Sequence, residues 1–421
     1  MVRTKPSMGP TRSRGFVSRA VPFLLVVPLI AIPAIAYLVL SEGSQGRGPA
    51  LAQGSIGGSF HPVAGNFEPD TTQLDGCDGK YSCLEQAFGN IAYREGPRKA
   101  LMLFDEQIST DVDIERDCHR IVHTIGSATF ARFDGNVART FAEGSATCAS
   151  GYYHGILERA FVGISTKAQL AKAARSLCVA TGIRRRGFLD YQCRHGLGHG
   201  FMIQTGYDLP TALSLCGRLG TRWDEVTCTG GAFMENVSTR FGFRSQWLSE
   251  DDPLYPCNRV QVRHKRSCYV RATTRTLELN DNDFEDTART CESAGPRWVP
   301  FCFRGYGRDA VVEARYESFE KVLRLCRRAG RAQGECLVGA ARTFADGAGL
   351  EGAKRAAAFC ARAPSADRAD CVSGLGIVLG LLRPTNASRR AACAKLAPRY
   401  VEACSRAAIA EVDPSGRAAW G

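Results

Sequence analysis

The eighteen cysteines of the chain fall on two interleaved ladders with a period near thirty-five residues. One ladder is Cys83, Cys118, Cys148, Cys193, Cys228, Cys268, Cys302, Cys336, Cys371 and Cys404. The other is Cys77, Cys178, Cys216, Cys257, Cys291, Cys326, Cys360 and Cys393, each shortly before a member of the first. A fixed recurrence of this length marks stacked supersecondary units, and about 34 residues make one helix-turn-helix repeat. The expected fold class is therefore all-α: a disulfide-stapled array of helix-turn-helix repeats, an α-solenoid, rather than a conventional globular enzyme domain.

The same period predicts the cross-links. A short connection can bring a cysteine at the end of one helix to a cysteine at the start of the next. Each second-ladder cysteine is thus expected to pair with the first-ladder cysteine that follows it, as in Cys257 with Cys268 and Cys360 with Cys371. Only Cys118 and Cys148 lack an upstream partner, and joining them leaves no thiol over. Zinc binding by cysteine expects close CxxC pairs, and the chain contains none. Closing an eleven-residue loop contributes about 2 to 3 kcal/mol in the chain-entropy model, which suits repeats that each bury little core.

Disulfides at this density need an oxidising compartment, and the N-terminus offers a route to one. Residues 20–40 are uncharged and mostly apolar, long enough to cross a bilayer. Arg3, Lys5, Arg12, Arg14 and Arg19 precede them, so the positive-inside rule keeps a basic tail over 1–19 in the cytoplasm and exports the rest. A single-pass membrane protein with its repeats on the extracytoplasmic side is expected, although Ala34-Ile35-Ala36 and Ala50-Leu51-Ala52 keep signal cleavage open. Residues 41–76, rich in Gly, Ser and Pro, read as a flexible linker. The repeat domain is expected over 77–410 and a tail over 411–421.

Within one repeat, Ala310, Val311 and Val312 belong to a first helix, while Phe319, Val322, Leu323 and Leu325 recur at helical spacing in a second that ends at Cys326. A glycine follows the first-ladder cysteine by three residues at Gly151, Gly196, Gly231, Gly305, Gly339 and Gly374. Glycine in a constant register lets two helices pack closely. In these features the chain resembles the cysteine-rich Sel1-like and tetratricopeptide-like repeat proteins, in which paired cysteines bridge helices of a superhelical array. The resemblance covers most of Cys178 to Cys404 and implies the fold and a concave binding surface, but no reaction.

Five of the seven histidines lie between His119 and His199, each shortly after a first-ladder cysteine. His119/His123, His154/Glu158 and His195/His199 are i,i+4 pairs, which on a helix point two side chains one way and can grip one metal. His154 and His199 both lie six residues past their cysteines, so stacked repeats could converge them. Glu235, in the next repeat, is a further ligand or general base. Two expectations oppose this: the candidates spread over about half a helical wheel, and Gly196, Gly198 and Gly200 could break the helix at His199. His61 and His264 have no comparable partners.

Farther along, Arg308 and Arg342 occupy the six-residue register, with Arg271, Arg275 and Arg304 nearby. Arg271, Arg304, Arg308 and Arg342 are candidate substrate-binding residues for an anionic group, a basic continuation of the groove. Despite a net charge of +12, nucleic acid is not an expected partner, because the array is exported and no aromatic-basic stacking motif stands out.

Two functions follow. The first is a membrane-anchored, extracytoplasmic metal-dependent enzyme, a hydrolase or an oxidoreductase. His119, His123, His154, Glu158, His195 and His199 would hold a divalent transition metal (zinc, copper or iron), and Glu158 and Glu235 would carry protons. The second is a non-catalytic helical-repeat scaffold that binds a metal, an anionic small molecule or a protein ligand. No Ser-His-Asp motif, P-loop, Rossmann glycine pattern or CxxCH site decides between them.

Overall fold

A computed structural model describes residues 67–413 and 415, apart from 109, 112–113, 115–117, 146, 165, 181, 238–244 and 347–348. The described residues form α-helices, short 3-10 turns and connections, with no β-strand among them. The basic tail, the apolar segment 20–40 and residues 41–66 of the linker lie outside the described residues. Among those described, no helix is long and apolar enough to cross a membrane.

Two layers of helices account for the repeat. The inner layer consists of α1 (Tyr81–Arg94), α3 (Cys118–Arg132), α5 (Thr147–Arg159), α7 (Phe188–Gln204), α9 (Arg222–Asn236), α10 (Val262–Leu279), α12 (Val299–Glu313), α14 (Gln333–Asp346), α16 (Arg368–Leu382) and α18 (Val401–Glu411). Each packs on the next in that order. The outer layer is α2 (Pro97–Gln107), α4 (Val137–Ala142), α6 (Lys167–Ala180), α8 (Leu209–Cys216), α11 (Phe284–Glu292), α13 (Phe319–Arg327), α15 (Gly349–Arg362) and α17 (Asn386–Leu396). Side chains of Asn136, Asp208, Asp283, Ser318 and Thr385 accept backbone N–H groups at the starts of α4, α8, α11, α13 and α17. Those residues end each turn because they satisfy donors that a helix start leaves unpaired.

Sequence pattern separates the layers. Outer helix α13 buries Val322, Leu323 and Cys326 and turns Glu320, Lys321 and Arg324 outward, the one-sided pattern of a surface helix. Inner helix α16 buries Val372, Leu375, Val378, Leu379 and Leu381 on opposite sides, since it has neighbours on both. The recurrent glycines make this tight layer possible. A Cβ on Gly231 would lie 1.9 Å from the carbonyl oxygen of His195, one on Gly305 2.4 Å from that of Val270, and one on Gly339 1.9 Å from that of Arg304. Close packing is thus what the cysteine-plus-three glycine provides.

All eighteen cysteines are paired in nine disulfides. Eight are the expected local pairs, from Cys77–Cys83 to Cys393–Cys404, with sequence separations of 6 to 15 residues. The ninth joins Cys118 to Cys148 across 30 residues and ties α3 to α5 directly. This cross-linking belongs to an oxidising, extracytoplasmic environment.

The array also closes on itself, which a period cannot reveal. Tyr191, Trp223 and Leu381 form an apolar cluster with Phe188 and Val412 against it. Trp223 donates from Nε1 to the carbonyl of Glu411 at 2.8 Å, across 188 residues of sequence. Arg184 reaches the carbonyl of Leu381, and α16 touches α7. The last repeats therefore lean on the middle ones.

Candidate metal centre

The five clustered histidines converge on one point of the inner layer. His119 and His123 come from α3, His154 and Glu158 from α5, His195 and His199 from α7, and Glu235 from α9. All are buried except His119, which is half-buried. The two residues of equal register stack ring on ring, His154 over His199 with centroids 4.5 Å apart and planes 19° from parallel. His119 and His123 lie 5.3 and 5.5 Å from His154, and His195 lies 5.1 Å from it, centroid to centroid.

The glycines near His199 do not interrupt the helix; α7 runs unbroken from Phe188 to Gln204. Their role is proximity: a Cβ on Gly198 would meet the Cys228 carbonyl at 2.0 Å, and one on Gly155 the His123 carbonyl at 1.9 Å. Backbones this near shorten the span the histidines must bridge. The spread over the helical wheel does not keep the side chains apart, since residues of α3, α5, α7 and α9 meet in overlapping groups.

Close polar contacts bear on which ring nitrogens face inward. His119 donates from Nδ1 to the carbonyl of Cys148 at 2.6 Å. His123 Nδ1 lies 2.7 Å from Glu158 Oε1, and His199 Nδ1 lies 2.8 Å from Glu235 Oε2. A proton on Nδ1 of His119 and of His199 leaves Nε2 as the lone pair, the arrangement in which a carboxylate or carbonyl orients a metal-binding imidazole. Nε2 of His119 and of His123 are 3.0 Å apart. Two nitrogens about 2.0 to 2.1 Å from a common ion lie roughly 3 to 3.5 Å from one another.

His154 carries the strongest indication. It is 1 % exposed, and neither ring nitrogen has a hydrogen-bond partner among the described residues. Burial holds its pKa well below the ordinary 6.5, and the neighbouring His199, His195, His119 and His123 add to that effect. His199 Nε2 and His195 Nδ1 are likewise buried without a partner among the described residues. Burial also lowers the pKa of His195, with His199 and Arg271 contributing. Buried polar atoms are almost always satisfied, so several unsatisfied imidazole nitrogens in one place mark a group that can hold a metal ion.

Ligand atoms within 4.8 Å of one another form three overlapping groups among the described residues: His119/His123/His154, His154/His195/His199 and Glu158/His199/Glu235. These buried groups can hold a metal ion, and because His154 and His199 are each shared there is room for more than one arrangement. Glu158 and Glu235 each approach a histidine, and Glu235 also accepts from Tyr207 Oη at 2.6 Å. Burial beside Glu235 drives the Tyr207 phenol well above its ordinary 10, so it stays protonated as donor. Arg120, held at about 9 by burial against the pull of Glu158, forks onto Glu85 at 2.9 and 3.0 Å.

Tyr207, Arg120 and Glu85 escaped the sequence reading. For Glu85 and Arg120 a signal existed: both stand two residues past a first-ladder cysteine on inner helices that pack together. Among the candidate arginines, Arg304 pairs with Glu335 at 2.6 Å and Arg308 with Asp309 at 2.8 Å, so both are engaged by carboxylates. Arg271 and Arg342 instead lie near enough to His195 to depress its pKa. Arg275, fully buried, pairs with Glu278 at 2.8 Å. His264 is buried on α10 beside Glu225 and outside the three groups. Compared with known protein families, characterised proteins and solved structures, the chain matches none.

Proposed function

We propose that the protein is a membrane-anchored, extracytoplasmic metal-dependent enzyme whose metal is held where α3, α5, α7 and α9 meet. The observation that carries this reading is His154, a buried imidazole with both nitrogens unpartnered among the described residues and four other imidazoles around it. A divalent transition metal would supply Lewis acidity if zinc, or electron transfer as well if copper or iron. The chain's own residues orient the ligands: Glu158 and the Cys148 carbonyl set the two α3 histidines, and Glu235 with Tyr207 sets His199. Half-buried His119 marks the side from which a small molecule could enter. The arginines that follow supply charge for an anionic substrate, and segment 20–40 the anchor.

The near-complete burial of His154, His195 and His199 favours a second reading, a scaffold that holds metal without turning anything over. Closed coordination belongs to structural sites and an open position to catalytic ones. The test is elemental analysis of the full chain from the membrane fraction, followed by cobalt substitution. Metal should be bound stoichiometrically and lost in His154→Ala but kept in His61→Ala, and added azide should shift the cobalt spectrum. A chain without metal removes the centre. A spectrum indifferent to azide supports the scaffold, and recovery of the chain from the soluble fraction removes the anchor.

A further inference from the structure

Beside His195 the closing of the array gathers a second set of polar side chains. Tyr191, one helical turn earlier on α7, stacks on the His195 ring with centroids 5.7 Å apart and planes 15° from parallel. Arg342, from α14, donates from Nη2 to Tyr191 Oη at 3.0 Å and stands 4.0 Å from Glu411 Oε1 of α18. Arg271, from α10, completes the group: its charge acts on Tyr191 and on His195. Arg271, Arg342 and Asp346 keep part of their surface accessible, yet protein surrounds them. That combination belongs to side chains lining a recess rather than to side chains packed in a core.

Arg271 is the unusual member. It makes no hydrogen bond or ion pair with any described residue. Burial lowers its pKa to about 9, and Arg308 and Arg342 push the same way against the weaker pull of Tyr191 and Asp309. Arg308 cannot turn away to relieve this, because Asp309 holds it at 2.8 Å and the Val270 carbonyl at 2.6 Å. A guanidinium enclosed by protein and flanked by like charge is costly unless an anion pairs with it. Its planar fork matches the two oxygens of a carboxylate or phosphoryl group.

We propose that Arg271, with Arg342 and the Tyr191 hydroxyl, binds one oxyanion group, carboxylate or phosphoryl, of a small molecule whose remainder lies beside His195. Asp346 and Glu411 share the recess, so a single anionic group fits and a polyanion is repelled. The inference deepens the metal-dependent reading by naming what the substrate carries. Anion binding does not itself need the metal, so the two can fail separately.

The test is calorimetric titration of the full chain in detergent with inorganic phosphate and with acetate, metal-loaded and after chelation. Saturable binding of at least one anion is expected in both states, and the preferred anion identifies the group. Arg271→Met should weaken it by roughly tenfold or more, the scale of a lost charge-assisted pair. Arg271→Lys, which keeps charge but loses the fork, should fall between. Exposed Arg289→Met should match the wild type. His154→Ala should lose metal and keep anion affinity, which separates this proposal from the metal reading. Absence of saturable binding, or binding that survives Arg271→Met unchanged, overturns it. Binding seen only with metal present assigns the anion to the ion and also overturns it. If Arg271→Met does not fold, the comparison passes to Arg271→Lys, where unaltered affinity is the overturning result.

Discussion

At the scale of residues, the inner layer depends on side chains that are missing as much as on those present. The imidazoles can gather because Gly155, Gly198 and Gly231 let backbones approach to where a Cβ would overlap a carbonyl oxygen, at 1.9, 2.0 and 1.9 Å. Gly231→Ala pits about 1 kcal/mol of helix propensity gained against about 1 to 3 kcal/mol of overpacking, to which displacement of His195 adds. The expected outcome is a lower urea midpoint together with weaker metal binding. Gly76→Ala, on exposed chain with nothing within 4 Å of the added Cβ, should change neither. The equal register of His154 and His199 was legible in the sequence and became a stacked pair. The partners of His119 and His199, a backbone carbonyl and the Glu235–Tyr207 pair, were not legible, because they depend on how the helices settle.

At the scale of elements, the unmatched cysteines mark the specialised part of the array. Local disulfides such as Cys360–Cys371 tie an outer helix to the inner helix that follows. Cys118–Cys148 ties two inner helices, the ones bearing His119, His123 and His154. Replacing either pair by alanines should cost about 2 to 4 kcal/mol through the unfolded state. Their effects on metal should differ. Loss of Cys118–Cys148 lets α3 shift against α5 and should weaken metal binding at least about tenfold, the scale seen when residues that orient ligands are removed. Loss of Cys360–Cys371 should lower the melting temperature and leave metal affinity unchanged, as parallel melting and metal-competition curves would establish.

At the scale of the molecule, closure joins the last inner helix to the middle of the array through Glu411. Burial raises the pKa of this carboxyl from 4.5 to about 7, with Asp346 adding and Arg342 and Arg266 opposing. Between those values the folded protein keeps a proton that the unfolded chain releases. This contribution is therefore complete below pH 4.5 and disappears as pH rises through 7. The wild type should lose stability relative to Glu411→Gln over that window, read from urea midpoints at several pH values. Amide exchange should quicken first in α18, where the Glu411 carbonyl accepts from Trp223.

The cysteine ladders, the glycine register and the alternation of apolar stripes determined the all-helical class, the repeat and the eight short-loop disulfides, while Cys118–Cys148 followed only as the pair left over. These are local features: short loops dictate which cysteines meet, and helical periodicity dictates which faces are buried. The i,i+4 histidine pairs likewise foretold which residues would gather. Tertiary structure decided the rest. Which nitrogen of each histidine faces inward, which arginines are engaged by carboxylates and which one makes no ion pair with a described residue depend on tilts between helices and on contacts spanning up to 197 residues. Small per-repeat rotations accumulate into the curvature of a stacked array, and only their sum brings Arg342 of α14 and Glu411 of α18 against Tyr191 and Trp223.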